Sequence, residues 1–336
     1  MTSQQSLTFV IPVRNDAARL RRCLLSIARN RPGAATIKCL VADNGSTDDS
    51  AAAARSLGAD VVAIQGSPVS RVRNLAAAQT DSELLAFVDA DHEISDSWVD
   101  AAIDSMADRT AGGVGALCLP PQKGTRVQQL YGALRGRTSG RSEVTWLGSG
   151  NLVVRRAIFE ELGGFDEGLE TCEDVDLCQR LRAKGWRLIG DERLVNYHLG
   201  DPATLRAVFT SERWRGRDNL RVSLRHKLSL RDVPSVVIPV LGAAALLSIP
   251  LALASVAVWG RAGLFWAAAS LLLILALSAL RTMRMTARGS ISAALIPWAF
   301  AVALAYDLGR AVSLLLPARH RDRQRVEQPQ ARHSRS

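Results

Sequence analysis

The stretch Leu84-Leu85-Ala86-Phe87-Val88-Asp89-Ala90-Asp91 sets five apolar residues directly before two carboxylates. An unbroken apolar run of that length suits a strand buried on both faces, as in a parallel sheet. Upstream the pattern recurs: residues 7–13, 37–42 and 61–64 read as strands, and residues 17–30, 48–57 and 70–79 have helical composition. Such alternation builds a parallel sheet with crossover helices. In these sheets ligands gather beyond the carboxyl ends of the strands. Pro12-Val13-Arg14-Asn15, Asp43-Asn44-Gly45-Ser46 and Asp89-Ala90-Asp91 all fall there. The expected fold is an α/β domain with a Rossmann-like, mostly parallel sheet.

Further on, residues 120–142 read as a loop-rich stretch, a candidate flap over a substrate, and residues 173–184 as a helix closed by Gly185. Charge then divides the 336 residues more sharply than the net +10 implies: residues 1–202 carry 23 Lys/Arg against 26 Asp/Glu, and residues 203–336 carry 19 against 6. Nucleic-acid binding needs its basic residues on a folded surface with stacking aromatics. Here they flank apolar runs instead, so a nucleic-acid partner is excluded. Residues 203–232 alternate Arg with apolar residues, an amphipathic segment suited to an anionic membrane surface. Residues 233–260 and 262–280 are uncharged and long enough to cross about 30 Å of hydrocarbon. A third apolar segment, 291–316, is interrupted by Pro297, Asp307 and Arg310 and reads as interfacial or re-entrant, with spanning as the alternative.

The expected organisation is thus an α/β domain over 1–202, an interfacial segment over 203–232, a membrane region over 233–318 and a basic tail over 319–336. Arg281 and Arg284 after the second span mark a return to the cytosol, which keeps the first domain on that side. Five cysteines without a C-x-x-C pair read as reduced thiols.

Asp89 and Asp91 are spaced to share Mg or Mn, hard cations that neutralise a phosphate leaving group. Glu173, Asp174 and Asp176 open a helix, where the macrodipole favours negative charge. Each pattern alone is common; an ordered series is far more specific. Val10-Ile11-Pro12-Val13-Arg14-Asn15, Asp43-Asn44-Gly45-Ser46-Thr47-Asp48, Arg71-Val72-Arg73-Asn74 and Phe87-Val88-Asp89-Ala90-Asp91 follow one another. Gly150-Asn151-Leu152-Val153-Val154-Arg155-Arg156, Gly163-Gly164-Phe165-Asp166-Glu167 and Glu173-Asp174-Val175-Asp176-Leu177 come after them. In order and spacing the series resembles family 2 glycosyltransferases.

The resemblance implies the GT-A fold and a nucleotide-diphospho-sugar donor, a UDP-sugar foremost. It places Pro12, Val13, Arg14, Asn15 and Asp43 on the nucleoside, and Arg73 and Asn74 beside the nucleotide. Asp89 then contacts ribose or metal and Asp91 the metal, and His198 matches a histidine that completes the metal shell in some relatives, with a packed or hydrogen-bonded histidine beside Tyr197 as the other reading. Asn151 and Glu173 join the substrate side, and Asp174 matches the base of an inverting displacement. Thr210-Ser211-Glu212-Arg213-Trp214 is similar to the Q-x-x-R-W motif of processive members, with Thr in place of Gln. In that role Arg213 meets a diphosphate and Trp214 the face of a sugar. An interfacial Trp beside a lipid-facing Arg is the other reading of the pair.

The implied function is metal-dependent transfer to a lipid-linked or glycan acceptor in exopolysaccharide or envelope-glycan synthesis. It implies a multi-pass protein of the bacterial inner membrane working beside other glycan-assembly proteins. A polyprenyl-phosphate sugar synthase is the alternative within enzymology, although no S-G-F-R run is present. A non-catalytic membrane sensor or scaffold for sugar nucleotides is the alternative outside it. Retention of Asp89, Asp91 and Asp174 together argues against that.

Overall fold

The computed structural model describes residues 5–30, 35–225, 233–287 and 291–316; the basic tail over 319–336 and the end of the amphipathic segment, 226–232, lie outside them. The chain divides into two compact units, Met1–Gln122 with Arg137–Gly200, and Lys123–Gly136 with Asp201–Ser336.

The first unit begins with β1 (Ser6–Val13), α1 (Ala17–Ala28), β2 (Thr36–Asp43), α2 (Ser50–Ser56), β3 (Asp60–Ala63), α3 (Val69–Ala77) and β4 (Leu84–Val88). β1 pairs in parallel with both β2 and β4, and β3 pairs in parallel with β2. After β5 (His92–Ile94), α4 (Trp98–Met106) and β6 (Ala111–Gly115), the chain leaves for the second unit through α5 (Arg126–Arg135). It returns as β7 (Arg141–Glu143), β8 (Asn151–Arg155), α6 (Arg156–Glu161), α7 (Glu173–Ala183), β9 (Arg187–Asp191) and β10 (Asn196–His198). The eight-stranded sheet runs β3-β2-β1-β4-β8-β6-β9-β7, and β8 lies antiparallel between β4 and β6.

The period of two in each strand sends alternate side chains to opposite faces. Leu7, Phe9 and Ile11 of β1 pack with Trp98 in one core, while Val10 joins Phe87, Phe159 and Phe165 in the other. All five residues of β4 are buried, because both faces of the sheet are covered there. β5 and β10 form a separate antiparallel pair whose register sets His92 directly opposite His198.

In the second unit, α8 (Leu205–Arg215) and α9 (Asn219–Ser223) precede α10 (Val233–Trp259), α11 (Arg261–Ala287) and α12 (Ile296–Leu315). Three stretches, Val233–Ala254, Arg261–Ala287 and Ala293–Leu315, are long and apolar enough to cross a membrane. The three interruptions that suggested an interfacial third segment are each accommodated. Pro297 occupies the first turn of α12, where no helical N–H is lost. Asp307 accepts hydrogen bonds from Arg281 at 2.9 Å and Ser278 at 3.0 Å, and Arg310 donates to Glu212 at 2.6 Å. Paired in this way, the charges leave the helix intact.

The region read as loop over 120–142 contains α5. Thr125 accepts from the Gln128 N–H while the Gln128 side chain accepts from the Thr125 N–H, a reciprocal cap. α5 packs Val127, Leu130 and Tyr131 with Val208 of α8 and Ala299 and Val302 of α12. The Tyr131 hydroxyl donates to Glu212 at 2.5 Å. The α8 stretch expected at a membrane surface therefore buries Val208, Ser211 and Glu212 within its own unit.

Candidate active site

The turns after β1, β2 and β4 lie at one edge of the sheet, because parallel strands carry their carboxyl ends to the same side. Asn15, in the left-handed region at φ 54°, holds the first two turns together. Its N–H donates to Ser46 Oγ at 2.9 Å, and its side-chain oxygen accepts from the Thr47 N–H at 2.7 Å. Pro12 and Val13 close β1, and Arg14 is exposed beside them. Asp43, buried at the end of β2, accepts from the Ser46 N–H at 3.0 Å.

Arg73 on α3 is 4% exposed and bridges two carboxylates, donating at 2.6 Å to Asp89 and at 2.7 Å to Glu173. A guanidinium suits this position because its planar fork reaches two acceptors at once. Burial opposes ionisation of Asp89, but Arg73 and His92 outweigh it and hold the carboxyl below its ordinary range. Glu173 moves the other way: burial and the adjacent Asp174 push it up to about 7, against the pull of Arg73. Asn74 pins the loop before α7, donating to the Phe165 carbonyl at 2.9 Å and to Glu167 at 3.1 Å, and accepting from the Phe165 N–H.

Asp91, His92 and His198 bring one ligand atom each within 4.8 Å of one another. His198 Nε2 lies 3.2 Å from Asp91 Oδ2, and His92 Nε2 lies 3.7 Å from Asp91 Oδ1. The Nδ1 of His92 is 2.7 Å from the Gly150 carbonyl. A carbonyl only accepts, so the neutral ring carries its proton on Nδ1 and keeps Nε2, 3.7 Å from Asp91 Oδ1, as its unprotonated nitrogen. Metal-ligating histidines are commonly oriented in this way. The Gly150 carbonyl also accepts from Asn196 at 2.8 Å, and a Cβ on Gly150 would strike the His92 ring, so only glycine fits there. For Asp91, burial is overcome by His198, His92 and Arg19, and its carboxyl lies far below the ordinary range. One carboxylate and two imidazoles fit a divalent cation. Asp89, expected as a further ligand, stands outside this group and is engaged by Arg73.

Asp174 sits in the first turn of α7. Its Oδ2 accepts from the Ser149 N–H at 3.2 Å and its Oδ1 from its neighbour Val175 at 2.8 Å. Burial nevertheless raises its pKa above the usual aspartate value. Asn151, expected on the substrate side, lies in the interior of the first unit. Its side chain is 0% exposed, accepts from the Trp98 indole at 2.8 Å and donates to the carbonyls of Ala116 and Leu194. It ties β8 to α4 and to the ends of neighbouring strands, with both amide hydrogens donated to carbonyls. Arg213 and Trp214 lie on α8 in the second unit. His92 was missed by the sequence reading, although it directly follows Asp91.

A mostly parallel α/β sheet with a carboxylate and histidine group just beyond its central strand defines a GT-A-like domain. Residues 8–163 match the model of Glycosyl transferase family 2, and the chain carries a domain of that family. It is 30% identical over 205 residues, 55% of this chain, to a pre-mycofactocin glycosyltransferase of Mycobacterium tuberculosis, and spans 41% of that protein's length. An N-acetylglucosaminyl-diphospho-decaprenol L-rhamnosyltransferase of the same organism is 29% identical over 297 residues, covering 67% of this chain and 92% of that one. Among solved structures, a mannosyltransferase from Pyrobaculum calidifontis in complex with GDP-Man and Mn2+ superposes with a TM-score of 0.59. The match has 19% identity over 94% of this chain and 88% of the other, and it supports the fold.

Proposed function

We propose that the protein is an inverting glycosyltransferase that moves a sugar from a nucleotide-diphospho-sugar, a UDP-sugar foremost, to a lipid-linked acceptor. The observation that carries this reading is the convergence of Asp91, His92 and His198 at the end of β4. The family match and the decaprenol-linked acceptor in the relative's name support the reaction class and the acceptor class. Three apolar helices support a place at a membrane, which we assign to the bacterial inner membrane with the first unit in the cytosol.

The turns bearing Asn15 and Asp43 take the nucleoside. Arg73 keeps Asp89 ionised and fixed beside the ribose. Asp174 removes the proton of the acceptor hydroxyl as its oxygen bonds to the anomeric carbon, and the electron pair of the breaking bond leaves with the nucleoside diphosphate. A base whose pKa is raised toward the working pH takes a proton more effectively. A divalent cation held by Asp91, His92 and His198 supplies charge neutralisation on the departing diphosphate. Two imidazoles beside one carboxylate favour Mn2+ over the oxygen-preferring Mg2+.

Calorimetric titration of the full chain with UDP, GDP and dTDP, in Mn2+, Mg2+ or EDTA, tests the donor site. At least one nucleotide is expected to bind, most tightly in Mn2+, and to weaken at least about ten-fold in EDTA or on Asp91→Asn. Binding of equal strength in EDTA would remove the metal from the account, and binding of no nucleotide would remove the donor class.

A further inference from the structure

Trp146 is the one exposed aromatic side chain among the described residues of the first unit, at 43% exposure, whereas its neighbour Leu147 is buried in the core at 3%. The backbone beneath the indole is firmly held. The Leu147 N–H donates to Cys178 Sγ at 3.3 Å and its carbonyl accepts from the same thiol at 3.5 Å, which fixes the loop to α7. On either side, the Val144 N–H donates to the Leu188 carbonyl at 2.9 Å and the Asn151 N–H to the Gly148 carbonyl at 3.0 Å.

Gly148 lies beside this indole and carries no side chain to cover it. A Cβ built on Gly148 would lie 3.7 Å from Trp146 Cζ3 and 3.7 Å from Asp174 Oδ2, with no other atom beyond its chain neighbours within 4 Å. The indole and the carboxylate assigned as base thus flank the same glycine, each within van der Waals reach of the position a Cβ would take. Aromatic rings pack against apolar surface and hold it in a fixed orientation. One face of a pyranose ring is such a surface, while its hydroxyls point outward from the rim. A phosphate offers no apolar face and would bring negative charge toward Asp174.

We infer that Trp146 and the bare backbone at Gly148 form a subsite for a sugar ring of the acceptor, stacking that ring so that one hydroxyl meets Asp174. The inference rests on the reading of Asp174 as base and deepens it: the group that receives the new sugar is itself a saccharide, not a lipid phosphate. Cys178 acquires a role in the same arrangement, because its thiol anchors the platform to the helix that carries Asp174.

Saturation-transfer difference NMR on the full chain in nanodiscs, with Mg2+ and the nucleoside diphosphate that binds best, reads this subsite directly. The probes are the methyl β-glycosides of glucose, galactose, mannose and N-acetylglucosamine, with methyl phosphate for comparison. Ring-proton saturation is expected for at least one glycoside and exceeds any signal from methyl phosphate. Trp146→Ala should lower it roughly five- to ten-fold, the loss of one stacking contact, while Trp146→Phe retains most of it. Gly148→Ala introduces only ordinary contacts with the protein yet sets a methyl against both Trp146 and Asp174, where the sugar would lie, so it should abolish the signal in a folded chain. Nucleotide affinity, measured in parallel, is expected to stay within about two-fold in all three variants. Equal ring saturation in wild type, Trp146→Ala and Gly148→Ala overturns the subsite, as does a wild type that saturates methyl phosphate alone or no glycoside. The parallel titration reports on the donor site separately, so failure of the subsite and failure of the transferase reading are distinguishable.

Discussion

Asp174→Asn is expected to lower sugar transfer about 1,000-fold while the affinity for nucleotide stays within about two-fold. The substitution keeps size and leaves an oxygen to accept from the Ser149 N–H, now 3.2 Å away, so the loop before β8 has no reason to move. What is lost is the ability to take a proton. Arg73, Asp89 and the Asp91 group are unaltered in chemistry, and these are the residues assigned to the donor. Because burial holds Asp174 above the ordinary aspartate range, wild-type transfer should also fall on acidification at a higher pH than an unperturbed aspartate would give. Initial rates in membrane extract, paired with nucleotide titration, decide the matter. A variant that retains more than about a tenth of wild-type turnover would show that Asp174 is not the base.

Arg73→Met is expected to destabilise the first unit by about 3–5 kcal/mol, roughly 10 °C in melting temperature for a domain of this size. The loss comes from the two carboxylates left behind more than from the guanidinium itself. Glu173 is nearly sealed from solvent and Asp89 is partly covered, and both are paired to Arg73 in the native chain. Deprived of it, each must either stay charged without a partner or take up a proton. Arg73→Lys should recover less than half of the loss, since one ammonium cannot reach along both directions of the fork. Thermal unfolding of the three proteins gives the comparison. A shift below about 1 kcal/mol for Arg73→Met would mean that water already satisfies these carboxylates.

The strands and the crossover order were legible because each strand carries its own apolar signal, and Leu84 to Val88 most of all. The polar residues that end β1, β2 and β4 can be placed together from the sequence, since parallel strands deliver their ends to one side. His92 could not be found that way: it joins His198 through the β5 and β10 register, a pairing between residues 106 apart in sequence. Asn151 is a related case. Its motif marks a position, but only the surrounding strands reveal that the amide is spent on Trp98, Ala116 and Leu194. α5 was hidden by weak apolar patterning, although Thr125-x-x-Gln128 is a capping signature visible in the sequence. Pro297, Asp307 and Arg310 leave the third apolar segment open between spanning and interfacial readings in the sequence, because the partners of the two charges, Arg281 and Glu212, are 26 and 98 residues away.

The stereochemistry of the product tests the central claim most directly. Proton NMR of the transferred sugar, made with the donor that the titration identifies, gives its anomeric configuration from the H1–H2 coupling or the one-bond C1–H1 coupling. A single in-line displacement assisted by Asp174 predicts the anomeric configuration opposite to that of the donor. Retention would require a second displacement or a front-face attack, and would contradict the role assigned to Asp174.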